Sequence, residues 1–254
     1  MVLNLFKTDR RGQPVPPRAP AGRRIYVVGD IHGRADLLRR MQDMILADAA
    51  GIGRSQPVVV YLGDYIDRGL ESRQVLDTLL NEPLPGFEEI RLLGNHEQAM
   101  MDFLEDAGIG PAWLYYGGAA TLYSYGINAQ ARTPEGADRF AHLSAELGRA
   151  LPRHHLSLLR ELQLHHIEGD YLFVHAGIRP GIPLYDQQQE DLLYIRDDFL
   201  NYAEPHEHIV VHGHTITSGP DVRPNRIGID TGAFATGRLT CLVLDGAERR
   251  FLQT

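Results

Sequence analysis

Cysteine is almost absent: the 254-residue chain carries one, Cys241. No internal disulfide is open to it, which excludes a cross-linked secreted scaffold and points to a reducing compartment. Cys241 lies in the apolar run Leu239 to Leu244, where a small buried hydrophobe is expected rather than a reactive thiol. Nor is any stretch long and apolar enough to cross a bilayer. Met1-Val2-Leu3-Asn4-Leu5-Phe6 is too short for a signal-peptide core and has no basic region before it. Position 2 is not glycine, so N-myristoylation is excluded. The expectation is a cytoplasmic protein with no membrane contact. Positive charge is also short: 25 Lys and Arg face 33 Asp and Glu, a net charge of −8. A duplex nucleic-acid binder needs a basic field, so no nucleic-acid partner is expected.

A hydrophobic content of 43% with 23% charged residues is ordinary for a globular protein. The length fits one large domain or a domain with an elaborate insert. Residues 1–24 read as a flexible basic, proline-rich arm, with Lys7, Arg10, Arg11, Arg18, Arg23 and Arg24 among Pro14, Pro16, Pro17 and Pro20. Residues 25–254 read as a single domain. Strands are expected at Ile25–Val28, Val58–Leu62 and Glu88–Leu93, with helices at Arg34–Ala50, Ser72–Leu80 and Glu97–Asp106 between and after them. Near-continuous apolar strands alternating with helices imply a mixed sheet covered on both faces. Residues 108–150 break this rhythm. They are rich in Gly, Ala and aromatics (Trp113, Tyr115, Tyr116, Tyr123, Tyr125, Phe140) and read as a mainly helical insert over the mouth of a site. A helix at Pro152–Glu161 follows, then a hairpin of Leu162–Ile167 and Tyr171–Val174. Strands at His208–Val211 and Arg226–Ile229 come next, then a terminal hairpin of Leu239–Leu244 and Arg250–Leu252 around Asp245-Gly246.

The chemistry gathers where these strands end. Gly29-Asp30-Ile31-His32-Gly33, Gly63-Asp64-Tyr65-Ile66-Asp67-Arg68-Gly69 and Gly94-Asn95-His96-Glu97 follow the first three strands at intervals of roughly thirty residues, the length of one strand-helix-strand unit. That spacing brings them to one sheet edge, where ligands of open α/β sheets bind. His175-Ala176-Gly177 and Gly213-His214-Thr215 end two later strands. Mixed carboxylate, amide and imidazole donors suit Mn²⁺, Fe or Zn²⁺ better than Mg²⁺ or Ca²⁺. There are too many donors for one ion, and Asp64 is the natural carboxylate to be shared by two. His212 and the near-doublets His154, His155, His165, His166, His206 and His208 lack such context and read as packing or surface residues. Asp230-Thr231-Gly232 receives no chemistry, and Trp113, Tyr115 and Tyr116 are equally consistent with a groove or a packed core.

In these five motifs the sequence resembles the phosphoprotein phosphatase branch of the calcineurin-like metallophosphoesterases, and most of all the short bacterial and phage serine/threonine phosphatases. The resemblance covers about residues 24–244. It implies an α/β fold, the four-layer α-β-β-α metallophosphoesterase sandwich with mixed sheets. It implies a first metal held by Asp30 and His32, a second held by Asn95, His175 and His214, and Asp64 bridging both. Asp67 then orients His96 as the proton donor, and Arg68, Asn95 and Arg196 bind the phosphate. Arg196 follows Leu192-Leu193-Tyr194-Ile195, where the phage-type enzymes place such an arginine.

The expected activity is a dinuclear phosphomonoesterase using two divalent ions, Mn²⁺ foremost with Fe or Zn²⁺ as alternatives. A hydroxide bridging the ions attacks phosphorus in line, and a phosphoprotein or small phosphoester is the substrate. A symmetrical dinucleoside-polyphosphate hydrolase shares the first two motifs, but that branch commonly reads Asp where this chain has Glu97. A catalytically inactive phosphoprotein-binding scaffold is the other rival, and the full ligand set speaks against it.

Overall fold

The computed structural model describes residues 16–51, 53, 55–130 and 137–254. The chain opens with β1 (Arg23–Val28), α1 (Ala35–Ala49), β2 (Gln56–Tyr61), α2 (Ser72–Asn81), β3 (Glu88–Arg91) and α3 (Asn95–Glu105). A 3-10 turn leads into α4 (Gly110–Trp113), a segment at Leu114–Gly118 kinked at Gly117, and α5 (Ala119–Ser124), and then come α6 (Ala137–Ala150) and α7 (Arg153–Glu161). The later part holds β4 (His165–Glu168), β5 (Tyr171–Val174), α8 (Gln189–Tyr194), α9 (Asp197–Leu200), β6 (Ile209–His212), β7 (Asp221–Val222) and β8 (Arg226–Gly228). It closes with α10 (Ala233–Thr236), β9 (Thr240–Asp245) and β10 (Glu248–Gln253).

Two five-stranded mixed sheets result, ordered β10-β9-β1-β2-β3 and β4-β5-β6-β8-β7. Period-two alternation along the strands builds the four layers. Ile25, Val27, Val58 and Val60 point inward and meet Tyr171, Phe173, Val211 and Ile227 of the other sheet. Tyr26, Val28, Val59 and Tyr61 point outward onto Leu38, Met41, Val75 and Leu76 of α1 and α2. Leu172, Val174 and Val210 face the other way, under Leu192 of α8, Ile195 and Phe199 of α9. The fold expected from sequence is therefore present, an α-β-β-α sandwich. No helix among the described residues is long and apolar enough to cross a membrane.

Several boundaries move for physical reasons. Helix α3 starts at Asn95, two residues before the expected Glu97. Glu97 is its third residue, and its carboxylate accepts the N–H of the N-cap Gly94 at 3.0 Å, which fixes the helix start there. Strand β3 ends at Arg91 rather than Leu93, and β4 begins at His165 rather than Leu162. Between them Gln163 pairs with the end of the first sheet: Leu93 N donates to Gln163 O and Gln163 N to Arg91 O. The chain thus crosses from one sheet to the other at this point. Arg23 and Arg24, placed in the arm by sequence, form the start of β1. Residues 1–15 of that arm lie outside the described residues. Ala19, by contrast, is buried, its N–H donating to Gly246 O. The described residues between 108 and 150 are mainly helical. The hairpins β4–β5 and β9–β10 are antiparallel, as the turn chemistry implied.

Candidate metal centre

Parallel pairing puts the C-terminal ends of β1, β2 and β3 side by side, and those of β5, β6 and β8 opposite them. The five motifs therefore meet at one rim between the sheets. Asp30, His32, Asp64, Asp67, His96 and His175 are between 0 and 3% exposed. His214 and Asn95 are partly exposed. Among the described residues, five non-glycine residues have left-handed φ: His32, Asp64, Asp67, Arg68 and His214, with φ between 47° and 70°. All five are site residues. Holding bulky side chains in that region costs about 1 kcal/mol or more each, so the backbone is strained where the chemistry is expected.

Asp64 is the centre. Its Oδ2 lies 3.5 Å from His32 Nε2 and its Oδ1 lies 3.5 Å from His175 Nε2. The N–H of His96, in the first turn of α3, donates to Asp64 Oδ1 at 3.1 Å, so the positive end of that helix faces the carboxylate. Burial opposes ionisation of Asp64, but the surrounding imidazoles, His175 and His96 foremost, outweigh it and hold the group below the ordinary carboxylate range. His32 Nδ1 donates to Ile66 O and His175 Nδ1 to Leu62 O, both at 2.9 Å. Each ring therefore presents a bare Nε2 lone pair toward Asp64. Burial pushes the His32 imidazole down to about 3 and the His214 imidazole to about 2, so both stay neutral.

His96 behaves differently. Its Nδ1 lies 2.7 Å from Asp67 Oδ2, and its Nε2 faces the site 3.1 Å from the Arg68 guanidinium. Burial would push it down, but Asp64 and then Asp67 outweigh burial and hold it up at about 9. It is therefore charged at neutral pH. Arg68 also reaches His32 Nε2 at 3.0 Å and lies over the Phe234 ring. Arg196 sits on the exposed side of the rim with its guanidinium 3.3 Å from Thr215 Oγ1, close enough to depress His175 and His214.

Two clusters of ligand atoms within 4.8 Å of one another share Asp64: His32–Asp64–His96 and Asp64–His175–His214. Asn95 Oδ1 lies 2.9 Å from both His175 Nε2 and His214 Nδ1. With His175 Nδ1 committed to Leu62 O, its Nε2 and the amide oxygen are two lone pairs in contact, which a cation between them would relieve. Asp30 accepts the N–H of His214 through Oδ2 at 2.9 Å, while its Oδ1 is buried without a partner, as is His214 Nε2. Burial, then the nearby Asp230 and Asp64 charges, push the Asp30 carboxyl well above its usual range. Crowded, orphaned donors of this kind fit divalent cations.

Four further positions at this rim were given no settled role from sequence. Glu97 is fully buried and its carboxylate accepts the N–H groups of Gly94, Asp64, Tyr65 and Ile66 at 2.8 to 3.2 Å, holding the Asp64 loop in place. Burial, then the Asp64 charge, push it up to about 8. Asp230, just past the end of β8, accepts the N–H of Gly232 through Oδ1 at 2.8 Å and is pushed up to about 6 by burial, with its Oδ2 unpartnered. Its signal was position: it too follows a strand ending at this rim. Trp113 and Thr121 of the insert reach Asp67. Trp113 is buried, whereas Tyr115 and Tyr116 are exposed. His212 is packed against Phe199, and His155 is satisfied on both nitrogens by Tyr125 and Asp77. Cys241 is buried with no reactive surroundings, and burial pushes its thiol far up.

A family model described as calcineurin-like phosphoesterase matches residues 23–235. The chain is 29% identical over 231 residues to serine/threonine-protein phosphatase 2 of Escherichia coli, covering 86% of this chain and 91% of that protein. It is 28% identical over 157 residues to a symmetrical bis(5'-nucleosyl)-tetraphosphatase of Aromatoleum aromaticum, covering 62% of this chain and 45% of that one. A solved structure assigned as a diadenosine tetraphosphatase overlays 94% of this chain and 98% of its own, with a TM-score of 0.60 at 20% identity.

Proposed function

The chain belongs to the calcineurin-like phosphoesterase family, and from that premise we propose that it is a serine/threonine protein phosphatase that works with two divalent cations. The observation that carries the reading is the position of Asp64, 3.5 Å from an imidazole on either side and lying where two ligand clusters overlap. His32 and Asp30 would hold one cation and Asn95, His175 and His214 the other, with Asp64 common to both. Mn²⁺ is the first choice for such mixed oxygen and imidazole donors. When bound, the pair would activate a water and neutralise phosphoryl oxygens.

The remaining steps fall to side chains of this chain. Arg68 and Arg196 offer forked N–H donors to the phosphoryl oxygens, positioning phosphorus for attack opposite the leaving oxygen. An alkoxide is a poor leaving group. His96, charged at neutral pH, has Nε2 toward the site and gives its proton to that oxygen. Asp67 on Nδ1 fixes the ring and stabilises the cation. Support for a protein substrate comes from the phosphatase of E. coli, matched over most of both chains, and from the Glu97 position. A cytoplasmic location is part of the same reading, resting on the single buried cysteine.

The test is metal-depleted protein re-supplied in turn with Mn²⁺, Zn²⁺, Fe²⁺ and Mg²⁺ and assayed on a phosphoserine peptide and on diadenosine tetraphosphate. Metal-dependent release of phosphate from the peptide, faster than tetraphosphate cleavage, is expected. Tetraphosphate cleavage without peptide turnover would replace the substrate class. Turnover of neither would leave a binding scaffold.

A further inference from the structure

The insert reaches into the centre of the molecule at one point. Trp113 Nε1 donates to Asp67 Oδ2 at 2.9 Å, the same oxygen that His96 Nδ1 contacts at 2.7 Å. Thr121 Oγ1 donates to Asp67 Oδ1 at 2.5 Å and accepts the Asp67 N–H at 2.9 Å. Both Trp113 and Thr121 are almost fully buried, and Asp67 is fully buried with φ of 70°. Each carboxylate oxygen of Asp67 is therefore fixed by the insert. A third contact comes from the backbone: Arg68 N donates to Gly117 O at 3.2 Å.

The sequence is shaped for these contacts. The chain kinks at Gly117, between α4 and α5, and the Trp113 ring lies back over Gly118, where a Cβ would come within 2.4 Å of the indole. Gly117 has φ of +121°, a conformation that turns its carbonyl toward Arg68 and that side chains rarely adopt. Phe103 of α3 packs on the other side of the indole, 4.9 Å between centroids.

We infer that Trp113 and Thr121 are positioning residues for proton donation, and that the insert exists to hold the Asp67–His96 pair in its donating geometry. The inference rests on the phosphatase reading above. In the step concerned, the P–O bond to the leaving alcohol breaks and its electron pair stays on the leaving oxygen. That oxygen takes the proton from His96 Nε2. Water supplies the oxygen that replaces it on phosphorus, and the proton the water sheds returns to His96 through solvent, leaving alcohol and inorganic phosphate. Only the proton-donation part of this passes through Asp67. Loss of the insert's donors frees the carboxylate to rotate and the imidazole with it, while the cation ligands stay where they are.

Leaving-group dependence tests this, because p-nitrophenolate departs without a proton and an alkoxide does not. Trp113→Phe keeps the packing and removes the N–H; Thr121→Val keeps the shape and removes the hydroxyl. Each is expected to lower kcat on an alkyl phosphate by about tenfold or more, a part of the 10²–10⁴ that proton donation supplies. Each should change p-nitrophenyl phosphate turnover less than about threefold, with KM and Mn²⁺ stoichiometry unchanged. Thr121→Ser should restore the alkyl phosphate rate. In a His96→Asn background neither variant should lose anything further. Equal losses on both esters, or losses additive with His96→Asn, would overturn the inference and leave the phosphatase reading intact. Wild-type protein inert toward both esters with every metal would instead overturn that reading.

Discussion

Glu97 shows how much one side chain carries here. Four N–H groups of the Asp64 loop and the α3 start converge on its buried carboxylate. Glu97→Ala leaves four buried donors without acceptors, so it should cost at least about 3 kcal/mol in denaturant unfolding and weaken metal binding with it. An unchanged midpoint would remove Glu97 from the scaffold. His96→Asn should lower alkyl phosphate turnover by about 10²–10⁴ with both cations still bound, as judged by metal analysis of the purified variant. The residues proposed as ligands could be picked out in the sequence because each follows an apolar strand in a Gly-flanked turn, a pattern that does not depend on distant contacts. Glu97 and Asp230 were not, since their roles are set by what folds against them. Asp230 gains its meaning only when the turn after β8 is brought beside Asp30, just past β1. Trp113 was legible as an aromatic in an insert, but nothing in the sequence tells a groove wall from a ring turned inward onto Asp67.

At the scale of elements, strand-end convergence follows from pairing alone: β1 is parallel to β2 and β2 to β3, and the same holds for β5, β6 and β8. The two sheets are also clamped at the opposite end of the strands. Arg23, at the start of β1, pairs with Glu88 of β3 at 2.8 Å and with Glu168 of β4, in the other sheet, at 3.0 Å. Glu168 is the less exposed partner, so removing the guanidinium leaves its charge with only the His166 imidazole, at 3.2 Å, beside it among the described residues. Arg23→Met should therefore destabilise the protein by about 1–2 kcal/mol, and 1 M NaCl should shrink the difference from wild type. A difference that is zero, or indifferent to salt, would mean the pair does not clamp the sheets. The alternation of strand and helix through α3 was readable from period alone. The crossing at Gln163 was not, because the same apolar residues continue through it and only the partner strand changes. The start of α3 was two residues early because the capping role of Glu97 falls inside the motif rather than before it.

On the scale of the whole molecule, the metal-free protein should be sensitive to acid. His32, His212 and His214 are held by burial at about 3, 4 and 2, all below the ordinary histidine value. The unfolded chain binds their protons first, so the stability they contribute is full above about pH 6.5 and is lost as pH falls below it. Each proton contributes a slope of about 1.4 kcal/mol per pH unit in that window. His96 has the opposite sign. Held at about 9 in the fold, it contributes stability fully present below about pH 6.5 and lost as pH rises through 9. Glu97, Asp230 and Asp30, whose carboxyls are held up in the fold, act with His96 and offset part of the histidine loss as pH falls, so unfolding of metal-free protein across pH 5 to 10 should show its maximum near neutrality with the acid-side loss softened. A monotonic profile would contradict these assignments. The cations themselves are the claim on which the rest stands. Anomalous scattering from crystals grown with Mn²⁺ tests it most directly. Two peaks are expected, one on each side of the Asp64 carboxylate, one beside Asp30 and His32 and the other among Asn95, His175 and His214; a single peak, or peaks away from Asp64, would contradict it.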